Sequence, residues 1–429
     1  YSYTSLQAKF LKRYSHAIES LPNILQIAGG TGATLDPHIP DTAVSGFVIG
    51  EGEMPLNDLL YAMENGNDFA KVKGFVWHKD GKTMATPATR FVEDINALDF
   101  PDYTVFDRNI VVYGSPLNIN VMISRGCPYK CNFCSNHALR GAYESSQGYS
   151  RSLTPDNAIL FLEKLRARYP EVEFISFEDD LLIVNKHWFL EFAARYKERI
   201  GLSCQLNLRV ECVNPKIITA LKEINCRVVF LGVESGNEQF RREMLNRKHT
   251  NQDIIDKTRL IREAGIKLFT FNIVGFPHET KEQMMDTLNL NKQIQPNTGT
   301  CTYFYPFPGT ALFNICKRDG FLDDIDIENL PSNYNTRPII SRTDKEKKDC
   351  VQVMKKMNAY FEWQNLKHKV SSYKKGHFAV ALAFYTVCLL GFYAMRRLIS
   401  HNYQLKIYHF LTNSPLLRPV ARLLVNCTR

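Results

Sequence analysis

The sequence predicts an α/β fold: a partial (β/α)6, TIM-like barrel, preceded by a smaller α/β unit and followed by a helical C-terminal extension. Three observations predict it. In the middle of the chain, runs rich in β-branched and aromatic residues alternate with amphipathic stretches, the rhythm of parallel βα units. Before residue 105 the pattern is different and glycine-rich. After residue 335 it becomes helical and basic.

The six expected barrel strands are 118–124, 172–177, 202–208, 227–233, 267–274 and 300–305. Between them, Thr154-Pro155, Asn214-Pro215, Thr250 with Asp253, and Thr280 with Gln283 read as helix starts. In each a side-chain oxygen can cap orphan amides, and proline at the first helical position lacks only an amide that would go unpaired. The first of these helices puts Ala158, Phe161, Leu162, Leu165 and Tyr169 on one face, so it should pack on a sheet. Gly201 and Gly265 stand where left-handed helix ends favour glycine. Right-handed crossovers then make the six units a parallel barrel or part of one.

Ahead of the barrel, residues 21–33 read as a strand entering a glycine-rich turn, 46–53 as a second strand and 57–63 as a helix. Residues 74–84 form a hairpin pattern with Asp80-Gly81 at the turn. The expected organisation is therefore 1–105, 106–335 and 336–429.

Length and composition allow a large core: 429 residues, 45% hydrophobic and 12% aromatic. The eleven cysteines are not spaced as a disulfide framework, which belongs to short secreted chains, so a reducing, cytoplasmic setting is expected. No basic region followed by an apolar core opens the chain at Tyr1. The net charge of +9 resides in the tail: residues 345–429 carry 15 Lys and Arg against 3 Asp and Glu, while residues 1–344 are slightly acidic. Such a tail suits an anionic partner of any kind.

The distinctive motif is Cys127-Pro-Tyr-Lys-Cys131-Asn-Phe-Cys134. Pro128, Lys130 and Asn132 between the thiols argue for a loop rather than a core. A structural zinc site takes four protein ligands, and no second C-x-x-C exists, although His137 offers a Cys3His set. A redox C-x-x-C disulfide leaves Cys127 unexplained. An iron–sulfur cubane accounts for the set better: it has four irons, and three cysteines leave one without a protein ligand, an open position for a substrate.

This loop resembles the C-x3-C-x2-C loop of the radical S-adenosylmethionine (SAM) superfamily, including the aromatic residue before the last cysteine, the preceding Ser-Arg-Gly, and the place after the first barrel strand. The resemblance implies that Cys127, Cys131 and Cys134 hold a 4Fe-4S cluster whose open iron is chelated by the methionine end of SAM. It further implies reductive cleavage to a 5′-deoxyadenosyl radical that abstracts hydrogen from carbon, with a flavodoxin- or ferredoxin-type electron donor. By the same resemblance Phe133 lies near the adenine, Glu178 or Asp179 meets the methionine amino group, Arg209, Glu234 and Ser235 meet the carboxylate and ribose, and Gly275 lies at the adenine-contacting segment.

The first hundred residues resemble the second half of a cobalamin-binding Rossmann-like domain, with Ser2 and Thr4 as its small-x-small motif, Gly29-Gly30 as its later glycine pair, and Glu51-Gly52 in the next turn. The segment expected to carry a cobalt-ligating histidine would lie upstream of Tyr1, so the chain reads as N-terminally incomplete. The implied reaction is cobalamin-dependent methyl transfer to an unactivated carbon. A cobalamin-associated cyclase or rearrangement enzyme is the nearest rival, and an iron–sulfur binding protein without catalysis the next. A methylthiotransferase needs a second cysteine triad, and residues 1–126 contain no cysteine. Nucleic acid is therefore not an expected partner; a small-molecule or lipid-like substrate is. Finally, residues 378–395 run uncharged between basic pairs, long enough at the lower limit to meet an anionic membrane surface, or else to form a buried or dimer-forming helix.

Overall fold

The computed structural model describes residues 1–22, 24–37, 42–79, 82–86, 91–323, 331, 333–340 and 342–371. Residues 1–361 form one compact unit and 362–429 a second.

The N-terminal part contains α1 (Ala8–Ala17), β1 (Ile27–Ala28), α2 (Thr31–Leu35), β2 (Gly46–Val48), α3 (Glu53–Glu64), β3 (Phe75–Lys79) and β4 (Lys82–Thr86). The four strands make one sheet in chain order, β1 and β2 parallel, β2, β3 and β4 antiparallel. Ser2 bridges in parallel to Gly29, and the amide of Gly29 donates to the Tyr1 carbonyl at 2.8 Å. The expected hairpin is present in β3 and β4; its Asp80-Gly81 turn lies outside the described residues.

The barrel part then runs α4 (Arg108–Val111), β5 (Asn118–Val121), β6 (Ser124–Arg125), α5 (Ser135–Arg140), β7 (Arg151–Ser152), α6 (Pro155–Arg168), β8 (Phe174–Phe177), α7 (Lys186–Arg199), β9 (Ser203–Leu208), α8 (Pro215–Glu223), β10 (Cys226–Glu234), α9 (Glu238–Glu243), α10 (Asn251–Glu263), β11 (Lys267–Val274), α11 (Lys281–Ile294), β12 (Thr298–Tyr303), α12 (Ala311–Arg318) and α13 (Asp344–Ser371). Six strands, β5, β8, β9, β10, β11 and β12, form an all-parallel sheet in that order. Sequential neighbours throughout are what repeated right-handed βα crossovers produce, here as a partial barrel.

The four expected helix starts are caps. Thr154 accepts from the Asn157 amide, Asn214 from Ile217, and Thr250 and Thr280 make capping boxes with Asp253 and Gln283. Gly201 and Gly265 have positive φ. The predicted face of α6 is buried in the main core, which lies between the sheet and helices α6, α7, α8 and α10. Burying each large apolar side chain there stabilises by about 1.5–3 kcal/mol.

One strand departs from the expectation. The run 118–124 stops pairing at Val121, because the Asp179 carboxylate takes the amides of Ile123 (3.0 Å) and Ser124 (2.6 Å) away from the ladder. Ser124 and Arg125 pair instead, antiparallel, with Ser152 and Arg151. This two-stranded ribbon brackets the cysteine loop. Two-residue strands carry no periodicity to read, so the ribbon was not expected.

Among the described residues no helix is long and apolar enough to cross a membrane. Residues 378–395, the run read as a membrane or buried helix, lie outside them.

Candidate functional site

The cysteine loop leaves the C-terminal end of the first barrel strand through Gly126, whose φ of +76° and whose would-be Cβ, 2.6 Å from the Tyr149 carbonyl, admit only glycine. Cys131 is buried, Cys127 and Cys134 are half-buried, and all three thiols are free. The loop is clamped from the segment after α9: the Asn132 amide donates to the Leu245 carbonyl (3.2 Å), Asn132 Nδ2 to Met244 (2.9 Å), and Asn246 Nδ2 to the Lys130 carbonyl (2.8 Å). Burial raises the Cys127 thiol and pushes Cys134 up to about 12. Either gives up its proton to a metal far more readily than to water. Among the described residues no three His, Cys, Asp or Glu side chains converge on a single ion. A cubane, with its irons at separate corners, spaces its thiolates more widely than one ion does. His137, the candidate fourth zinc ligand, has its Nδ1 buried and without a partner.

Arg209, at the end of β9, reaches this loop directly. Its Nη1 donates to Cys131 Sγ at 3.2 Å and its guanidinium lies 3.7 Å from the centroid of the Tyr129 ring. Nη2 donates to Glu211 Oε1 at 2.7 Å, and His249 Nδ1 lies 3.3 Å from the same oxygen. Burial works against both charges of the Arg209–Glu211 pair, yet their mutual attraction, with His249 on one side and Cys131 on the other, raises the Arg209 pKa and lowers that of Glu211. Burial lowers the pKa of His249, whose Nε2 is buried without a partner.

The carboxylates after β8 divide their roles. Asp179 is fully buried; Oδ1 accepts from Ile123, from the Ser124 amide and from Ser124 Oγ, while Oδ2 has no partner. Burial raises its pKa to about 6 against those hydrogen bonds. Glu178 is exposed as a residue, and partial desolvation of its carboxyl raises its pKa. Asp180, next in the chain, is the carboxylate whose negative charge helps raise the Cys127 and Cys134 thiols.

Glu234 ends β10 at a register shift, with φ of +63°, and accepts from Arg247 Nη1 at 2.9 Å. Ser235 is fully buried and caps the Asn237 amide at 3.3 Å. Past β11, Gly275 has φ of +79°; its amide donates to Glu279 Oε2 at 2.7 Å and that of Phe276 to the same oxygen at 3.1 Å. Arg342 closes this turn by donating to the Phe276 carbonyl. Phe133 meets Phe276 edge-on, ring centroids 6.0 Å apart, which ties the last cysteine's neighbour to the β11 turn. Arg247, His249 and Arg342 were not singled out from sequence; each acts through a neighbour from beyond its strand, and no local motif marks that.

In the N-terminal part, Ser2 and Thr4 flank the edge chain beside Gly29, and Gly30, with φ of +90°, opens α2 where a Cβ would lie 2.9 Å from Ser2 Oγ. These two glycines thus stand together just past the C-terminal end of β1. Gly52 caps α3. Glu51 faces the barrel part instead: Oε1 pairs with Arg151, and Oε2 accepts from the Val92 amide at 3.0 Å and pairs with Arg125 at 3.3 Å.

Fold and loop together define a parallel α/β partial-barrel protein with a three-thiol loop after its first strand. Residues 121–290 match the Radical SAM superfamily, so the chain carries a radical SAM domain. The chain is 28% identical over 305 residues, 70% of its length and 64% of the relative's, to an uncharacterized methyltransferase of Pyrococcus horikoshii. It is 29% identical over 313 residues, 69% of its length and 49% of the relative's, to the anaerobic magnesium-protoporphyrin IX monomethyl ester cyclase of Cereibacter sphaeroides. It thus spans less than two thirds of each of these relatives. Its fold is similar to that of OxsB, a cobalamin-dependent S-adenosylmethionine radical enzyme solved with aqua-cobalamin and S-adenosylmethionine bound: TM-score 0.63, 14% identity, 96% of this chain and 66% of that one.

Proposed function

We propose that the protein is a cobalamin-dependent radical SAM enzyme that transfers a methyl group to an unactivated carbon. The observation that carries the reading is the loop itself: three free thiols at the C-terminal end of the first strand of a parallel barrel, where such folds place their chemistry. Thiolates are the usual ligands of iron–sulfur clusters, and Cys127, Cys131 and Cys134 would hold one of the 4Fe-4S kind. When bound, that cluster and SAM supply one-electron cleavage to a 5′-deoxyadenosyl radical, and methylcobalamin supplies the methyl group.

The chain's own residues bind and orient. Asp180, with Glu178 beside it, offers a carboxylate to the methionine amino group. Arg209 offers a guanidinium held in place by Glu211 and Tyr129. Its proton donated toward Cys131 would also raise the reduction potential of a cluster on that sulfur. Glu234 suits the ribose hydroxyls, and Phe133 and Gly275 the adenine. Gly29 and Gly30 give a nucleotide-like tail close backbone approach. A flavodoxin- or ferredoxin-type protein would deliver the electron to the cluster, and the substrate would be a small molecule or lipid-like.

The likeness to a cyclase carries a second reading, radical cyclisation or rearrangement. Anaerobically reconstituted protein given SAM, hydroxocobalamin and a strong reductant, which yields a reduced cobalt that SAM can methylate, separates the two. S-adenosylhomocysteine formed with 5′-deoxyadenosine supports methyl transfer; 5′-deoxyadenosine alone, with cobalamin bound, overturns it in favour of the second reading.

A further inference from the structure

Arg125 and Arg151 are register partners across the β6/β7 ribbon. Like charges directly opposite one another on a strand pair repel, so this ribbon is unfavourable by itself. Two carboxylates from the N-terminal part offset the repulsion. Arg125 Nη2 donates to Glu53 Oε1 at 2.6 Å, and Arg125 and Arg151 both pair with Glu51. The arrangement is sheltered, with the Arg151 side chain 8% and the Glu51 side chain 18% exposed, so it is screened less than surface pairs are. Arg125 stands two residues before Cys127, separated from it only by Gly126, which packs against Tyr149. The same turn grips the far side of the loop. The Glu51 amide donates to Tyr143 Oη at 2.8 Å, and a Cβ on Gly50 would lie 2.5 Å from that oxygen. Helix α2, opened by Gly30, packs on α5, which begins one residue after Cys134.

We propose that Glu51 and Glu53 are a latch through which the N-terminal α/β part sets the placement of the Cys127–Cys134 loop, with Arg125 as the positioning residue. The inference rests on the proposed function for its purpose, since it puts the glycine turns read as a cofactor cradle in mechanical contact with the loop read as the cluster site. It rests on the ion pairs alone for its geometry. Glu51 then serves the loop rather than a bound cobalamin.

Hydrogen exchange of metal-free Glu51→Gln/Glu53→Gln and of Arg125→Gln tests it, with Glu53→Gln and Arg125→Lys as milder variants. The expected result is at least tenfold faster exchange of the amides of residues 123–127 and 150–153, with β9, β10 and β11 unchanged and Arg125→Lys close to wild type. Equal exchange in all variants overturns the latch, as does uniform acceleration across the barrel, which marks general destabilisation. A second arm reads iron bound per chain after anaerobic reconstitution. Wild type retaining iron and the double variant losing it at least several-fold faster supports the latch. Equal retention contradicts it. Wild type that never takes up iron instead overturns the proposed function, and the exchange arm still decides the latch.

Discussion

At the scale of single residues, Asp179 and Asp180 sit side by side in the sequence and face different tasks. Asp179 is sealed inside, accepting two backbone amides that no other group can satisfy. Asp179→Ala is therefore expected to lower unfolding free energy by about 2–4 kcal/mol in chemical denaturation, the cost of buried donors left unpaired. Asp180→Ala should be close to neutral in that measurement and should instead weaken SAM-dependent chemistry. Glu279 gives a pH signature. Burial raises its pKa from 4.5 to about 8 against the amides of Phe276 and Gly275. The native state holds a proton that the unfolded chain releases near 4.5, so its contribution is full below that pH and is lost as pH rises toward 8. Glu279→Gln keeps an acceptor for both amides without the charge. It should melt above wild type at pH 8, by at least a few degrees, with the difference fading toward pH 4.5.

At the scale of elements, the caps and strand limits were readable because their causes are local. Thr154, Asn214, Thr250 and Thr280 each satisfy amides within three residues, and the strands follow runs of branched and aromatic side chains. Thr154→Ala should cost about 1 kcal/mol. The β6/β7 ribbon was not readable, because its partners lie 26 to 28 residues apart and its stability comes from Glu51 and Glu53, more than 70 residues upstream. The same distance hid Arg342, which stabilises the Gly275 turn from a segment beyond the last barrel strand. Gly126→Ala isolates the ribbon's geometry. A positive φ with no room for Cβ predicts a loss of roughly 1–3 kcal/mol and faster alkylation of Cys127 in the metal-free protein.

At the scale of the molecule, the cysteine loop is gripped from three directions. Asp179 and Arg209 hold it from the sheet, Met244, Leu245 and Asn246 from the segment after α9, and Glu51 and Glu53 from the N-terminal part. The triad was legible as a motif, and so was its place after the first strand. Its supports were legible only where one stands at a strand end, as Arg209 does. The central claim is that this loop holds a cluster that cleaves SAM. Anaerobic reconstitution with iron and sulfide, followed by addition of SAM and a strong reductant, measures it directly through iron–sulfur absorbance and 5′-deoxyadenosine. Wild type is predicted to give both and Cys131→Ala neither; iron–sulfur absorbance without 5′-deoxyadenosine, or both signals surviving in Cys131→Ala, would contradict it.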